Sequence, residues 1–212
     1  MEELAHNIAE KIALHMQFDE DKKAVIAYGL TAIFQMVTLF TVISIIGLIF
    51  GFWYESIILF IGVGIIRKST GGAHSQTMYG CILISVLSVT ILSSLSKHIL
   101  SFSVNVFVNL GISVLVFALC FIIFYIRVPV ASPKKPIVKP EKIKRLRRQS
   151  FIILTIFFLI LVAFIFLTVL NDRFYSIAVS IRLAMLWQLF TLTEIGARFI
   201  DKIDLKSKPN SD

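Results

Sequence analysis

Charge is scarce in this chain. Asp, Glu, Lys and Arg make up 16% of its 212 residues while hydrophobic residues make up 57%, and the mean hydropathy is +0.87. That is more apolar surface than one soluble core can bury, so a soluble enzyme is excluded and an integral membrane protein is expected. Cysteine is scarce as well: of the two, Cys120 lies deep in an apolar run and Cys81 borders a polar loop, a layout that argues against a structural disulfide. The histidines are dispersed at positions 6, 15, 74 and 98. One Cys and one His fall short of the ligands zinc requires, so neither a metal nor any other cofactor is expected. The first 20 residues lack the basic start and apolar middle of a cleavable signal peptide and carry Glu2, Glu3, Glu10, Asp19 and Glu20 instead, which leaves targeting to the first membrane helix. Polar or ionisable residues inside the apolar runs, Gln35, Arg182, Gln188 and Glu194 among them, are few and mostly near the ends. No inverted repeat is evident, and both absences weigh against a transporter, the main alternative from a different functional class.

What is present is an all-α pattern. Charge-free stretches run from Ala24 to Tyr54, Ser69 to Ser96, His98 to Ile126 and Gln149 to Asn171, and several reach the roughly 20 apolar residues that cross a ~30 Å hydrocarbon core. They predict one polytopic membrane domain over 1–212 with about six helices, near 26–50, 52–66, 81–96, 104–127, 150–170 and 175–199. At roughly 1.5 Å per residue the second and third, of about 16 residues, fall short of the bilayer, so a re-entrant pair is an alternative to two spans. Residues 1–23 place Leu4, Ile8, Ile12 and Met16 at intervals of four, the apolar stripe of a helix lying on the membrane surface or packed on the body of the protein.

Lys and Arg set the orientation, because loops on the cytoplasmic side retain positive charge. With the N-terminus inside, the cytoplasmic side receives all basic residues except Lys97 and Arg173, which fall outside, and Arg182, whose side chain is expected to reach back to the outer interface. The termini, a polar loop at 67–80, a basic linker at 130–149 and a tail at 200–212 are then cytoplasmic. Prolines 133, 136 and 140 disfavour regular structure in the first half of the linker, while Lys142 to Arg148 can begin the next helix. Lys134, Lys135, Lys142, Lys144, Arg145, Arg147 and Arg148 bind anionic lipid, dock an acidic peptide segment, or do both.

The loop carries the chemistry. His74 and Cys81 are seven residues apart, after Gly71 and Gly72. On one straight helix their Cα atoms would be about 10.5 Å apart along the axis, too far for a thiolate to meet an imidazole. A bend is required, with His74 on a loop and Cys81 in the first turn of the following helix. There unpaired N–H groups and the helix dipole favour an anion and can hold an oxyanion. The loop has no carboxylate to orient the imidazole, which leaves Ser75, Gln76 or Thr77 as neutral partners.

The run Arg67-x4-Gly72-x-His74-x6-Cys81, followed by Val128-Pro129-Val130, Lys135-Pro136-Ile137 and a basic stretch ahead of another membrane segment, resembles the accessory gene regulator B (AgrB) family. These are membrane cysteine endopeptidases of quorum sensing in Gram-positive bacteria. The resemblance implies Cys81 as nucleophile and His74 as general base, with Arg67 and Gly72 as supporting residues. It also implies an AgrD-like propeptide as substrate, from which Cys81 cuts the C-terminal tail and holds the remainder as an acyl thioester. An internal Cys or Ser then closes a thiolactone or lactone. Arg67 either positions the peptide or anchors the end of its helix at the interface. The expected setting is the cell membrane of a Gram-positive bacterium, with membrane lipids as partners and no nucleic acid, and a homodimer is an open arrangement.

Overall fold

The computed structural model of the chain describes residues 2–73, 75, 77–100, 104–130 and 139–207, with the backbone alone at Glu2 and 204–207. His74, Lys134 and Lys135 lie outside the described residues. The described residues are helical almost throughout: α1 (Glu2–Met16), α2 (Glu20–Ile49), α3 (Trp53–Thr70), α4 (Met78–Ser94) running into a π-turn (Leu95–Ile99), α5 (Val106–Arg127), α6 (Pro140–Leu167), α7 (Arg173–Thr191) and α8 (Glu194–Ser207). Two compact units result, Met1–Val42 and Ile43–Asp212.

In the first unit, α1 stops where Gln17 takes a left-handed φ of 52°. Asp19 restarts the chain by accepting the Lys22 N–H at 2.9 Å, and Glu20 and Asp21 sit at the positive end of the new helix. The helix that the sequence extends over 1–23 is therefore two helices. On α1 the buried residues are Ala5, Ala9 and Ala13, whereas Leu4, Ile12 and Met16 of the expected apolar stripe are exposed.

The second unit is built around α7, which packs against α3, α4, α5, α6 and α8. A core of Ile66, Val116, Cys120, Phe124, Leu154, Leu161, Ala178, Ile181 and Met185 joins α3, α5, α6 and α7. Side-chain pairings give their directions. At one end Arg127 meets Glu194 at 2.9 Å, the Val130 N–H reaches the Thr70 carbonyl, and Arg147 donates to the Tyr125 carbonyl. At the other end Lys97 lies 3.5 Å from Glu55, Ser176 donates to Glu55 at 2.6 Å, Ser96 donates to the Ser176 carbonyl at 2.7 Å, and the Phe164 and Phe174 rings pack at 5.8 Å. Helices α3, α5 and α7 thus run one way, and α4 and α6 the other.

Among the described residues five helical segments are long and apolar enough to cross a membrane: Glu20–Ile49, Met78–Ile99, Val106–Arg127, Pro140–Leu167 and Arg173–Thr191. The protein is a multi-pass, all-helical membrane protein. α3 stands apart from the five because Glu55, Arg67 and Lys68 share its 18 residues. The segment expected at 81–96 is longer than the sequence reading allows. With the π-turn it covers 22 residues, about 33 Å at ~1.5 Å per residue and enough to cross.

Two further expectations are corrected. The helix expected at 175–199 ends at Thr191, and the expected tail from residue 200 begins inside α8. The break comes from Thr193, whose hydroxyl accepts the Gly196 N–H at 3.1 Å and starts a new helix. Arg182 is enclosed by the protein. It is 7% exposed, roughly 13 Å into α7 by helical rise, between Ile181 and Met185 on the buried face, with its guanidinium against Tyr175.

Candidate active site

The expected loop at 67–80 is shorter than the sequence indicates. Residues 67–70 are the last turn of α3 and 78–80 the first turn of α4, leaving seven residues to make the connection. Gly71 and Gly72 open it with φ of 72° and 123°, a region that side-chain-bearing residues rarely occupy. A Cβ on Gly71 would sit 2.0 Å from the Val130 carbonyl oxygen, because Gly71 and Val130 form a parallel bridge. On Gly72 it would meet Thr191 Oγ1 at 2.9 Å and Gln188 Nε2 at 3.3 Å. Backbone pairing at one glycine and close approach to α7 at the other both need the missing side chain.

α7 anchors the connection. Gln188, fully buried, donates to Thr70 Oγ1 and to the Gly71 carbonyl, each at 2.8 Å. The Ala73 N–H donates to the Thr191 carbonyl at 2.9 Å. From the α3 side Arg67 Nη2 donates to the Ala73 carbonyl, so both backbone polar groups of Ala73 are engaged. Further on, Ser75 Oγ donates to the Thr77 carbonyl at 3.0 Å and accepts the Thr77 N–H.

Thr77 then caps α4. Its hydroxyl accepts the Gly80 N–H at 3.1 Å and its carbonyl accepts the Cys81 N–H at 3.1 Å. Cys81 accordingly sits in the first turn of α4, the place the spacing argument requires for it. Of the four N–H groups that the start of α4 leaves without an intrahelical partner, that of Thr77 goes to Ser75 Oγ and that of Gly80 to Thr77 Oγ1, which leaves those of Met78 and Tyr79.

Arg67, Ala73, Ser75, Cys81, Ile84, Ser85 and Ile200 line one cleft, whose empty volume is about 210 Å³ with the open solvent at its mouth included. Three helices and the connection contribute to it. Burial lowers the pKa of Arg67 from its ordinary value, and the charge of Cys81 opposes that shift. This places the guanidinium within electrostatic reach of the sulfur, where it favours the thiolate. Among the described residues no carboxylate lines the cleft, and no cluster of His, Cys, Asp and Glu has the form of a metal site.

Of the sequence-derived candidates, the structure brings Arg67 and Cys81 into one cleft and fixes Gly72 beside its anchor. Lys142, Lys144, Arg145, Arg147 and Arg148 lie on the first turns of α6, at the same end of the unit but outside the cleft. Arg147 differs from the others, because it bonds the Tyr125 carbonyl and stacks over the Tyr125 ring at 4.9 Å. Sequence reasoning misses Gln188, Thr191 and Ile200. A lone amide in an apolar helix is the only trace of the first, and a threonine and an isoleucine give no signal.

A family model described as accessory gene regulator B matches residues 5–192. A "Putative AgrB-like protein" of Clostridium perfringens (strain SM101 / Type A) is 33% identical over 215 residues, covering 96% of each chain. "Putative AgrB-like protein 2" of Clostridium perfringens (strain 13 / Type A) is 32% identical over 210 residues, again covering 96% of each. No solved structure matches the chain.

Proposed function

The chain belongs to the accessory gene regulator B family, whose members are peptidases that process autoinducing-peptide propeptides in quorum sensing, and from that premise we propose that it acts as a cysteine endopeptidase through Cys81. One observation carries the assignment of residues: Ala73 and Ser75, which flank His74 in the sequence, both line the cleft that holds Cys81.

In this reading the imidazole of His74 takes the proton from Cys81 Sγ as the sulfur attacks the carbonyl before the propeptide's C-terminal tail. The N–H groups of Met78 and Tyr79 at the start of α4 stabilise the oxyanion. Collapse of the tetrahedral intermediate breaks the C–N bond, and His74 returns its proton to the leaving amine. The peptide remains on Cys81 as an acyl thioester. Attack by an internal Cys or Ser of the peptide closes the ring, and the proton of that nucleophile passes through His74 back to Cys81. Arg67 has two roles: its charge favours the Cys81 thiolate, and its bond to the Ala73 carbonyl holds the connection in place.

The cleft is assigned to the cytoplasmic side. Arg67, Lys68, Arg127, Lys142, Lys144, Arg145, Arg148 and Arg198 gather at the cleft end of the second unit, and the partnered pair of Glu55 and Lys97 lies at the other. A cytoplasmic cleft meets the propeptide on the side where it is made, and the basic turns of α6 attract an acidic tail.

The test is co-expression with a candidate propeptide that carries an internal Cys or Ser ahead of an acidic tail, following the tail by gel and the product by mass spectrometry. Cys81→Ala and His74→Ala are each expected to abolish tail release. Normal processing by either variant overturns the assignment, and a transporter with an incidental Cys and His predicts that the wild type releases no tail.

A further inference from the structure

Ile200 lies beyond the residues that the family model matches, which end at 192, yet it forms part of the wall of the Cys81 cleft. It is 2% exposed, while Ile195 and Phe199 on the same helix are largely exposed. An apolar side chain thus turns inward from an otherwise amphipathic helix at the place where the sulfur sits.

Several contacts hold α8 in this position. The Leu192 and Thr193 N–H groups bond the Leu189 and Phe190 carbonyls, and the Ala197 N–H bonds the Thr193 carbonyl. Thr193 Oγ1 donates to the Phe190 carbonyl at 2.7 Å. Gly196 permits the tight return, since a Cβ there would sit 2.0 Å from the Phe190 carbonyl oxygen. Arg127 and Glu194 pair at 2.9 Å, and the Phe190 and Phe199 rings pack at 5.8 Å. α8 is fixed to the ends of α5 and α7, and Ile200 is placed with it.

The chemistry gives this wall a task. An acyl thioester on Cys81 has two fates: attack by the peptide's own Cys or Ser yields the ring and the free enzyme thiol, and attack by water yields a linear acid and the same thiol. Both nucleophiles approach the same carbonyl carbon, so the ratio of products depends on whether water reaches it. The lining of the cleft is polar at Ser75, Ser85 and Arg67 and apolar at Ala73, Ile84 and Ile200. We propose that Ile200 is a specificity-determining residue that keeps water from the acyl thioester and so directs the reaction to cyclisation. This inference rests on the function proposed above.

Full-length wild type, Ile200→Ala and Ile200→Val are compared with a propeptide whose internal cysteine lies between an amphipathic N-terminal segment and an acidic tail. Two quantities are read from one sample: the tail released, and the ratio of linear to cyclic tail-less peptide by mass spectrometry. The expected result for Ile200→Ala is a rise of about fivefold in the linear share of the tail-less peptide, read as a ratio so that it does not depend on how much tail is released. Ile200→Val, which removes a single methylene, is expected to give a smaller rise, and it carries the test if the alanine variant does not accumulate in the membrane. Unchanged product ratios with tail release intact overturn the role of Ile200 and leave the peptidase reading standing. A wild type that releases no tail in a Cys81-dependent way overturns both.

Discussion

The Gln188 side-chain nitrogen lies 2.8 Å from the carbonyl oxygen of Gly71, across 117 positions of sequence. Through this bond, and a second one to Thr70 Oγ1 at the same distance, the most buried helix of the second unit fixes the point where α3 ends and the site connection begins. Gln188→Ala removes both donors and leaves a buried carbonyl short of a partner, at a cost of about 1 kcal/mol for each bond. Tail release in a single-turnover assay is expected to slow by roughly tenfold to a hundredfold, while the amount of protein in the membrane falls little. Unchanged turnover would show that the connection holds its shape without α7.

The two kinds of glycine in α3 and its exit give a controlled comparison. Gly71→Ala forces a side chain into a φ of 72° and to 2.0 Å from the Val130 carbonyl oxygen, whereas a Cβ at Gly64 meets nothing within 4 Å. The first substitution is expected to lower the thermal midpoint of the detergent-solubilised protein and abolish processing. The second should leave both near wild type, since it adds no clash and improves helix propensity by up to ~1 kcal/mol. Similar behaviour of the two variants contradicts the pairing described here.

Arg67 is half-buried beside Cys81, and its charge favours the thiolate. Removing a neighbouring cation shifts a thiol's titration upward, so the pH midpoint of Cys81 alkylation is expected to rise by about one unit in Arg67→Ala. Arg67→Lys restores the charge without the fork that reaches the Ala73 carbonyl, and is expected to recover the midpoint but only part of the turnover. Cys120 is fully buried and is replaced by Ala in these measurements to leave one reporting thiol.

The basic turns of α6 divide into two groups. Lys144, Arg145 and Arg148 are exposed, and replacing all three with Gln is expected to raise KM for an acidic-tailed propeptide with little change in kcat, an effect that shrinks as salt rises. Arg147 instead binds Tyr125 through its carbonyl and its ring. Arg147→Gln is therefore expected to lower stability more than substrate affinity. A KM shift of equal size from Arg147→Gln alone would contradict this division.

Much of the architecture is legible in the sequence, because in a membrane the length of an apolar run nearly determines a helix. The placement of Cys81 in a first turn also follows from spacing alone, since seven residues on a straight helix cannot bring a thiol to an imidazole. The end of α7 is harder to read. Apolar residues recur as far as Phe199 without a Pro at the break, and the turn shows only in Gly196 and in a local cap, Thr193 followed by Glu194. The burial of Arg182 is invisible for another reason: a cation near the start of an apolar segment is compatible with either a buried or an interfacial position, and packing of α7 at the centre decides it. Gln188, Thr191 and Ile200 act across the fold on residues more than a hundred positions away, where no local pattern reports on them.

The most direct test of the account is the mass of Cys81 during turnover. Purified protein mixed with its propeptide and quenched in acid within the first turnover is predicted to carry, on Cys81, the mass of the propeptide lacking its tail, and neutral hydroxylamine should remove that adduct. Tail release with Cys81 unmodified, or an adduct on any other residue, would contradict it.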